Sequence, residues 1–225
     1  MISERIKEIT QQLPPEVKLV AVSKFHPLEA IVEAYHAGQR VFAESRPQEL
    51  QKKIQAISQD PDSPLRDVQW HFIGHLQTNK LKMVLPYADL VQSVDSLHLL
   101  QEIDDWGGKN GKVIKVLLEL HIGAEESKQG FVEEEILDIL FRAGKFRNIS
   151  FCGLMGMASH TDNEEDIRAD FARIADFHDY LRDLFPELET FAELSIGMSD
   201  DWHIALEYGA TMVRIGTTIF GSREY

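Results

Sequence analysis

Lys24 closes the run Val17-Lys18-Leu19-Val20-Ala21-Val22-Ser23-Lys24, and Phe25-His26-Pro27 follows it. A lysine held at the tip of a buried strand can be driven to give up its proton and attack a carbonyl. Burial or neighbouring cations lower its pKa from about 10.4 to roughly 7, the range in which Schiff-base lysines work. The alternative is a solvated lysine just past a strand end. The far end of the chain bears on that choice. Leu194-Ser195-Ile196-Gly197-Met198-Ser199 and Arg214-Ile215-Gly216-Thr217-Thr218 both gather small residues and hydroxyls. Glycine lets backbone N–H groups close on an anion, and a helix starting after Ser199 adds a favourable dipole, so phosphate is the ligand such segments can cradle. Ordinary βα turns share the same composition.

Arg214 lies within an apolar run, where an unpaired guanidinium is costly; it requires an acidic side chain or a ligand atom as partner. Its parity with Gly216 places both toward one side of a strand. His71 and His75 stand about 13 Å apart at roughly 3.3 Å per residue, too far to share a metal. His75, nearer the strand's C-terminal end, either lines a site or is a satisfied core histidine. Met155 and Met157 can pack against a flat ligand or simply fill core. The sequence has no CxxC, HExxH or Walker A pattern, no G-x-G-x-x-G after a strand and no G-x-S-x-G elbow.

The elements that must position these residues can be read from the hydrophobic pattern. Strand-like runs fall at residues 17–24, 40–45, 70–76, 90–96, 113–122, 151–158, 193–197 and 212–220. Several are continuously apolar, as parallel strands covered on both faces are. Residues 26–38, 47–57, 131–144 and 164–184 have helical spacing, and residues 1–9 read as a charged amphipathic helix. Pro27 and Pro47 suit first helical turns, and Gly38 and Gly144 suit positions just past helix ends. Asp62-Ser63-Pro64 and Gly107-Gly108-Lys109-Asn110-Gly111 read as turns. The expected fold is α/β, a single (β/α)8 TIM barrel over residues 1–225, with a doubly wound open sheet as the alternative. In such a barrel the site lies at the C-terminal strand ends, with phosphate after strands seven and eight.

With 225 residues, 44% of them hydrophobic, the chain can build one sizeable core. Its net charge of −14 argues against nucleic acid and anionic membrane as partners. Cys152 is the single cysteine, so no intramolecular disulfide forms; this suits a reducing cytosol, and Cys152 itself is expected to be buried and inert. No signal-peptide h-region or bilayer-length apolar run is present, and a cytoplasmic protein is expected.

The ordered set Ala21-Val22-Ser23-Lys24, His71-Phe72-Ile73-Gly74-His75-Leu76-Gln77-Thr78-Asn79-Lys80, Gly153-Leu154-Met155-Gly156-Met157 and the two C-terminal segments resembles the pyridoxal phosphate homeostasis protein family, also called YggS/PROSC. The likeness runs from Val17 to Gly221. It implies a barrel of the alanine-racemase N-terminal type that carries pyridoxal 5′-phosphate as a Schiff base on Lys24. By the same matching, Ser195, Gly216 and Thr217 hold the phosphate and Arg214 faces the pyridine nitrogen, with Ser45, His75 and Met155 on the pocket wall. An arginine cannot accept the pyridinium proton, so the ring stays a weak electron sink, suited to being held or passed on. The chain departs from the family's Phe-Gly-Glu-Asn at Phe42-Ala43-Glu44-Ser45, where serine replaces only part of an asparagine's hydrogen bonding. Arg46-Pro47-Gln48-Glu49 follows, with proline where the family usually has valine.

The resemblance implies intracellular pyridoxal phosphate homeostasis and amino- and keto-acid balance, with the cofactor and pyridoxal-phosphate-dependent apo-enzymes as partners. Two other readings stand beside it: an amino-acid racemase and a regulatory interaction scaffold. Racemases of this barrel type carry a second β domain that supplies a tyrosine base. This chain ends at Tyr225 directly after the eighth strand, so a second base is not evident, a monomer is expected, and no catalytic or metal-binding residue is assigned.

Overall fold

In the computed structural model, which describes residues 1–123 and 129–221, the apolar runs become short strands alternating with helices. In chain order these are α1 (Ile2–Gln12), β1 (Lys18–Val22), α2 (Leu28–His36), β2 (Val41–Glu44), α3 (Pro47–Gln59), β3 (Gln69–Phe72), α4 (Leu81–Val84), β4 (Leu90–Val94), α5 (Leu97–Asn110) and β5 (Ile114–Glu119). There follow α6 (Glu133–Leu140), β6 (Ile149–Met155), α7 (Glu164–Leu184), β7 (Glu193–Ser195), α8 (Trp202–Glu207), β8 (Met212–Ile215) and α9 (Thr217–Phe220). The strands pair in parallel in sequence order. β1 then closes on β8, from Lys18 opposite Met212 to Ala21 opposite Ile215, which completes the barrel and excludes an open sheet.

Two apolar layers result. Phe42, Phe72, Leu118, Phe171 and Val213 belong to the large outer layer between strands and helices. Val20, Val22, Ala43, Leu117, Cys152, Met155 and Met212 form the smaller filling of the barrel. Strand alternation alone would not put both Cys152 and Met155 inside, because they are three residues apart. The β5–β6 ladder slips between Val116 opposite Phe151 and Leu117 opposite Gly153, and this bulge resets the parity. Gly153 is required there: its φ is 144°, and a Cβ would lie 1.8 Å from the Glu193 carbonyl oxygen.

Several expectations are corrected. The expected strand at 212–220 ends at Ile215; the β-branched Thr217, Thr218 and Ile219 instead turn into α9, tertiary placement overriding their strand preference. Gly107 and Gly108 lie inside α5, not in a turn. A Cβ on Gly107 would sit 2.6 Å from Lys112 O and 2.7 Å from Asn148 Cβ, so these glycines admit close packing, while Gly111 at φ 62° is the helix stop. The expected helix at 131–144 ends at Leu140, and Gly144 falls within a 3₁₀ turn, Ala143–Lys145. Pro27 is the N-cap of α2, one position before the first turn, whereas Pro47 opens α3 as expected. Among the described residues, no helix is long and apolar enough to cross a membrane.

Candidate functional site

β1 ends at Val22, so Ser23 to His26 form the rim of the barrel mouth. Lys24 there lines a cavity of about 230 Å³ together with Val22, His26 and Ile73. β8 and its turn complete the other side with Arg214, Gly216 and Thr217, and Ser199 and Asp200 reach it from the β7 loop. Met155, Met157 and Met198 supply flat-sided apolar contact. A strand-end amine, an anion cradle and a cation thus meet although they come from opposite ends of the chain.

The cradle is made of backbone. The Gly216 and Thr218 amides both donate to Ser199 Oγ, at 3.3 and 3.4 Å, so two N–H groups and a hydroxyl converge at the start of α9. Gly216 packs closely on β1: a Cβ would lie 3.2 Å from Val22 O and 3.3 Å from Val22 Cβ, and would press into this space. Such a glycine with converging amides is what a phosphate group requires.

Arg214 is 4% exposed, yet its guanidinium is well satisfied. One terminal nitrogen donates to both Ser195 O and Ser195 Oγ at 2.7 Å; the other donates to Gly156 O at 2.9 Å. Among the described residues its direct partners are the Ser195 hydroxyl and two backbone carbonyls rather than an acidic side chain, the first of the two sequence alternatives. Burial pushes its pKa down to about 10, with Asp201 and Glu119 pulling back, so it remains a cation at neutral pH.

Ser195 itself is fully buried and lies outside the cavity lining. Its hydroxyl donates to Gln92 Oε1 at 2.7 Å, and Gln92 Nε2 contacts His71 Nδ1 at 2.8 Å. Burial pushes His71 down to about 3, with Lys18 and Lys115 adding to the effect, so the ring is neutral and that nitrogen accepts. Ser195 therefore stands behind Arg214 and fixes it, while Ser199, not Ser195, lines the cavity beside Gly216 and Thr217. Gly197, at φ 90°, turns the chain between them, so strand parity does not extend from one serine to the other.

Two further expected wall residues are not brought to the cavity. His75 is a rim residue, its side chain 59% exposed, and its Nδ1 meets Asp95 Oδ2 at 2.8 Å; it is neither a lining residue nor a core histidine. Ser45 lies outside the lining, and its carbonyl would stand 2.0 Å from a Cβ on Gly74, so its close contact is with the β3 loop. Cys152 is buried, and burial raises its thiol pKa. One carboxyl in the barrel has no signature in the sequence beyond its place in an apolar run. Glu119 is 2% exposed, its Oε2 has no hydrogen-bond partner among the described residues, and burial pushes it up to about 7. Asp95 adds to that rise, against Arg214 and His75.

The chain is similar along its length to known proteins. The family profile described as alanine racemase, N-terminal domain, matches residues 1–224. A pyridoxal phosphate homeostasis protein of Vibrio alginolyticus is 37% identical over 235 residues, spanning 100% of this chain and 98% of that one. The structure of PipY of Synechococcus elongatus PCC7942 with PLP bound superposes with a TM-score of 0.88 at 36% identity, covering 98% of this chain and 100% of PipY. An alanine racemase of Clostridium difficile shares the fold at 16% identity, with a TM-score of 0.78; the match covers all of this chain but 57% of the racemase.

Proposed function

This chain belongs to the alanine racemase N-terminal domain family, among its pyridoxal phosphate homeostasis proteins, and on that premise we propose that its barrel mouth holds pyridoxal 5′-phosphate covalently on Lys24. One observation carries the reading: Lys24, Arg214, Gly216 and Thr217 line a single cavity. When bound, the cofactor supplies an aldehyde that an amine can take up and a pyridine ring that draws electrons.

The chain's own groups fit each part. Lys24 provides the amine. Ser199 with the Gly216, Thr217 and Thr218 backbone would bind the phosphate. Met155, Met157 and Met198 cover the ring and exclude water. Arg214, fixed by Ser195 and Gly156, would face the ring nitrogen and would keep its own proton there, since burial lowers its pKa only to about 10. A ring whose nitrogen meets a cation remains a weak electron sink, so the site favours custody of the cofactor over carbanion chemistry. The protein accordingly serves pyridoxal phosphate homeostasis, and we infer that it does so in the cytoplasm as a monomer that releases the cofactor to apo-enzymes.

The test is a visible absorbance titration with pyridoxal phosphate. Wild type should develop an imine band, and Lys24→Ala, still folded, should not. A band of equal intensity in Lys24→Ala would remove Lys24 from its role.

A further inference from the structure

Lys24 sits between two residues that one buried ion cluster holds. On its N-terminal side, Ser23 N–H continues the ladder to Ala43 O at 3.0 Å. The Ser23 carbonyl accepts from Lys53 Nζ at 2.9 Å, and its hydroxyl donates to Glu44 Oε1 at 2.6 Å. On the C-terminal side, Phe25 N–H donates to Glu49 Oε1 at 2.6 Å. Lys53 joins the two carboxylates, at 2.7 Å to Glu44 and 2.9 Å to Glu49.

An ammonium carries three donors, and here Ser23 O, Glu44 and Glu49 take one each. Lys53 is 7% exposed and Glu44 fully buried. Charges so desolvated need pairing: Glu44 Oε2 has no hydrogen-bond partner among the described residues and burial pushes this carboxyl up to about 7 against the pull of Lys53, so removing Lys53 leaves it stranded. The cluster joins three elements: β2 ends in Glu44, the first two turns of α3 present Glu49 and Lys53 four residues apart, and β1 leads into Ser23.

Phe25 supplies the independent observation. Its φ is 69°, and among the described residues it is the one non-glycine at positive φ. A bulky residue stays in the left-handed region only where its surroundings over-determine it, and such strain gathers at functional positions. Glu49 fixes its amide, and the Arg46 guanidinium lies 4.4 Å from its ring centroid.

We propose that Lys53, Glu44 and Glu49 are positioning residues for Lys24: they clamp the backbone on both sides of it and hold Phe25 left-handed, so that the Lys24 side chain is directed into the cavity. The inference rests on Lys24 being the cofactor's amine. It assigns α3, which contributes nothing to the cavity lining, a direct part in how fast and how firmly the covalent bond forms.

The test pairs a cofactor readout with a cofactor-free one. Rates of borohydride-trappable adduct formation with pyridoxal phosphate are measured for wild type, Glu49→Ala, Glu49→Gln and Lys53→Met. Hydrogen exchange of the Phe25 amide is followed by NMR in the same proteins without cofactor. Glu49→Ala should slow the adduct and speed Phe25 exchange, each by about tenfold or more, the size of one charge-assisted hydrogen bond. Glu49→Gln keeps an acceptor oxygen and should stay near wild type in both; Lys53→Met should resemble Glu49→Ala. If Lys53→Met does not fold, the two Glu49 variants decide, because that side chain sits at the edge of the cluster, 20% exposed. A folded Glu49→Ala protein with unchanged adduct rate, or with a slowed adduct but unchanged Phe25 exchange, would overturn the clamp. Wild type that forms no adduct at Lys24 would instead overturn the reading of Lys24, and the exchange data would still show whether the cluster holds the loop.

Discussion

The two sides of the barrel mouth are built from different materials. On the β1–β2 side, a lysine stands in a strained loop backed by an ion cluster, with Lys53 and Glu44 buried, Glu49 at its edge and Phe25 at φ 69°. On the β7–β8 side, Arg214 and Asp200 also line the cavity, but the turn into α9 is glycine, hydroxyl and backbone amide, with Ser199 Oγ meeting the Gly216 and Thr218 N–H groups. On the proposed function, the difference follows from what each side would hold. A covalent bond needs one atom aimed in one direction, so the backbone carrying it is fixed at several points. A phosphate needs only converging donors at a helix start, which a turn supplies with little side-chain chemistry. One side orients, the other attracts.

That contrast can be broken at either side. Lys24→Ala should give the largest effect, complete loss of borohydride-trappable cofactor. The β8 cradle should still retain pyridoxal phosphate non-covalently, as measured by equilibrium dialysis; loss of all binding would mean the two sides do not act separately. Gly216→Val should weaken pyridoxal phosphate by about 10- to 100-fold, in line with the 1–3 kcal/mol of an overpacked site. Pyridoxal, which lacks the phosphate, should be affected far less, and equal losses for both would assign Gly216 to packing alone.

Glu119, on β5 and part of neither side, is the control for buried charge in general. Its carboxyl titrates at about 7 in the fold against an ordinary 4.5. Between those values the folded chain binds more protons than the unfolded one, so this group's contribution to stability falls as pH rises through the window. Glu119→Gln should therefore match wild type near pH 4 and exceed it at pH 8 by about 1–3 kcal/mol in denaturant melts; a difference independent of pH would contradict this. Smallest is the serine pair. Ser199→Ala should weaken phosphate binding by about threefold to tenfold, the worth of a neutral hydrogen bond. Ser195→Ala should leave phosphate affinity alone and shift the pH titration of the bound cofactor's spectrum by loosening Arg214. Reversed effects would restore Ser195 to the cradle.

The barrel was legible because its signals are local: apolar runs of strand length, prolines at helix starts and an amphipathic α7 whose observed span, Glu164–Leu184, is the one its spacing predicts. The place of Lys24 at the cavity was legible for the same reason, since it lies just beyond a strand end; Gly216 and Thr217 stood out by composition inside a strand expected to run to 220, and the structure puts them at its turn into α9. What escaped depends on breaks in periodicity. The bulge at Gly153 and the turn at Gly197 each change which residues face inward, so parity could not separate Ser195 from Ser199. The Gly107-Gly108 pair has the composition of a turn, but its purpose is contact with Asn148, which only the packed structure shows. Lys53 and Glu49 have the spacing of an ordinary solvated helix pair; nothing in the sequence reveals that β2 brings Glu44 against them and buries the lysine.

The account turns on Lys24 as the point of attachment. The most direct measurement is borohydride reduction of the protein mixed with pyridoxal phosphate, followed by mass mapping of its peptides. The prediction is one reduced cofactor adduct, on Lys24. An adduct confined to a different lysine, or none at excess cofactor, would contradict it.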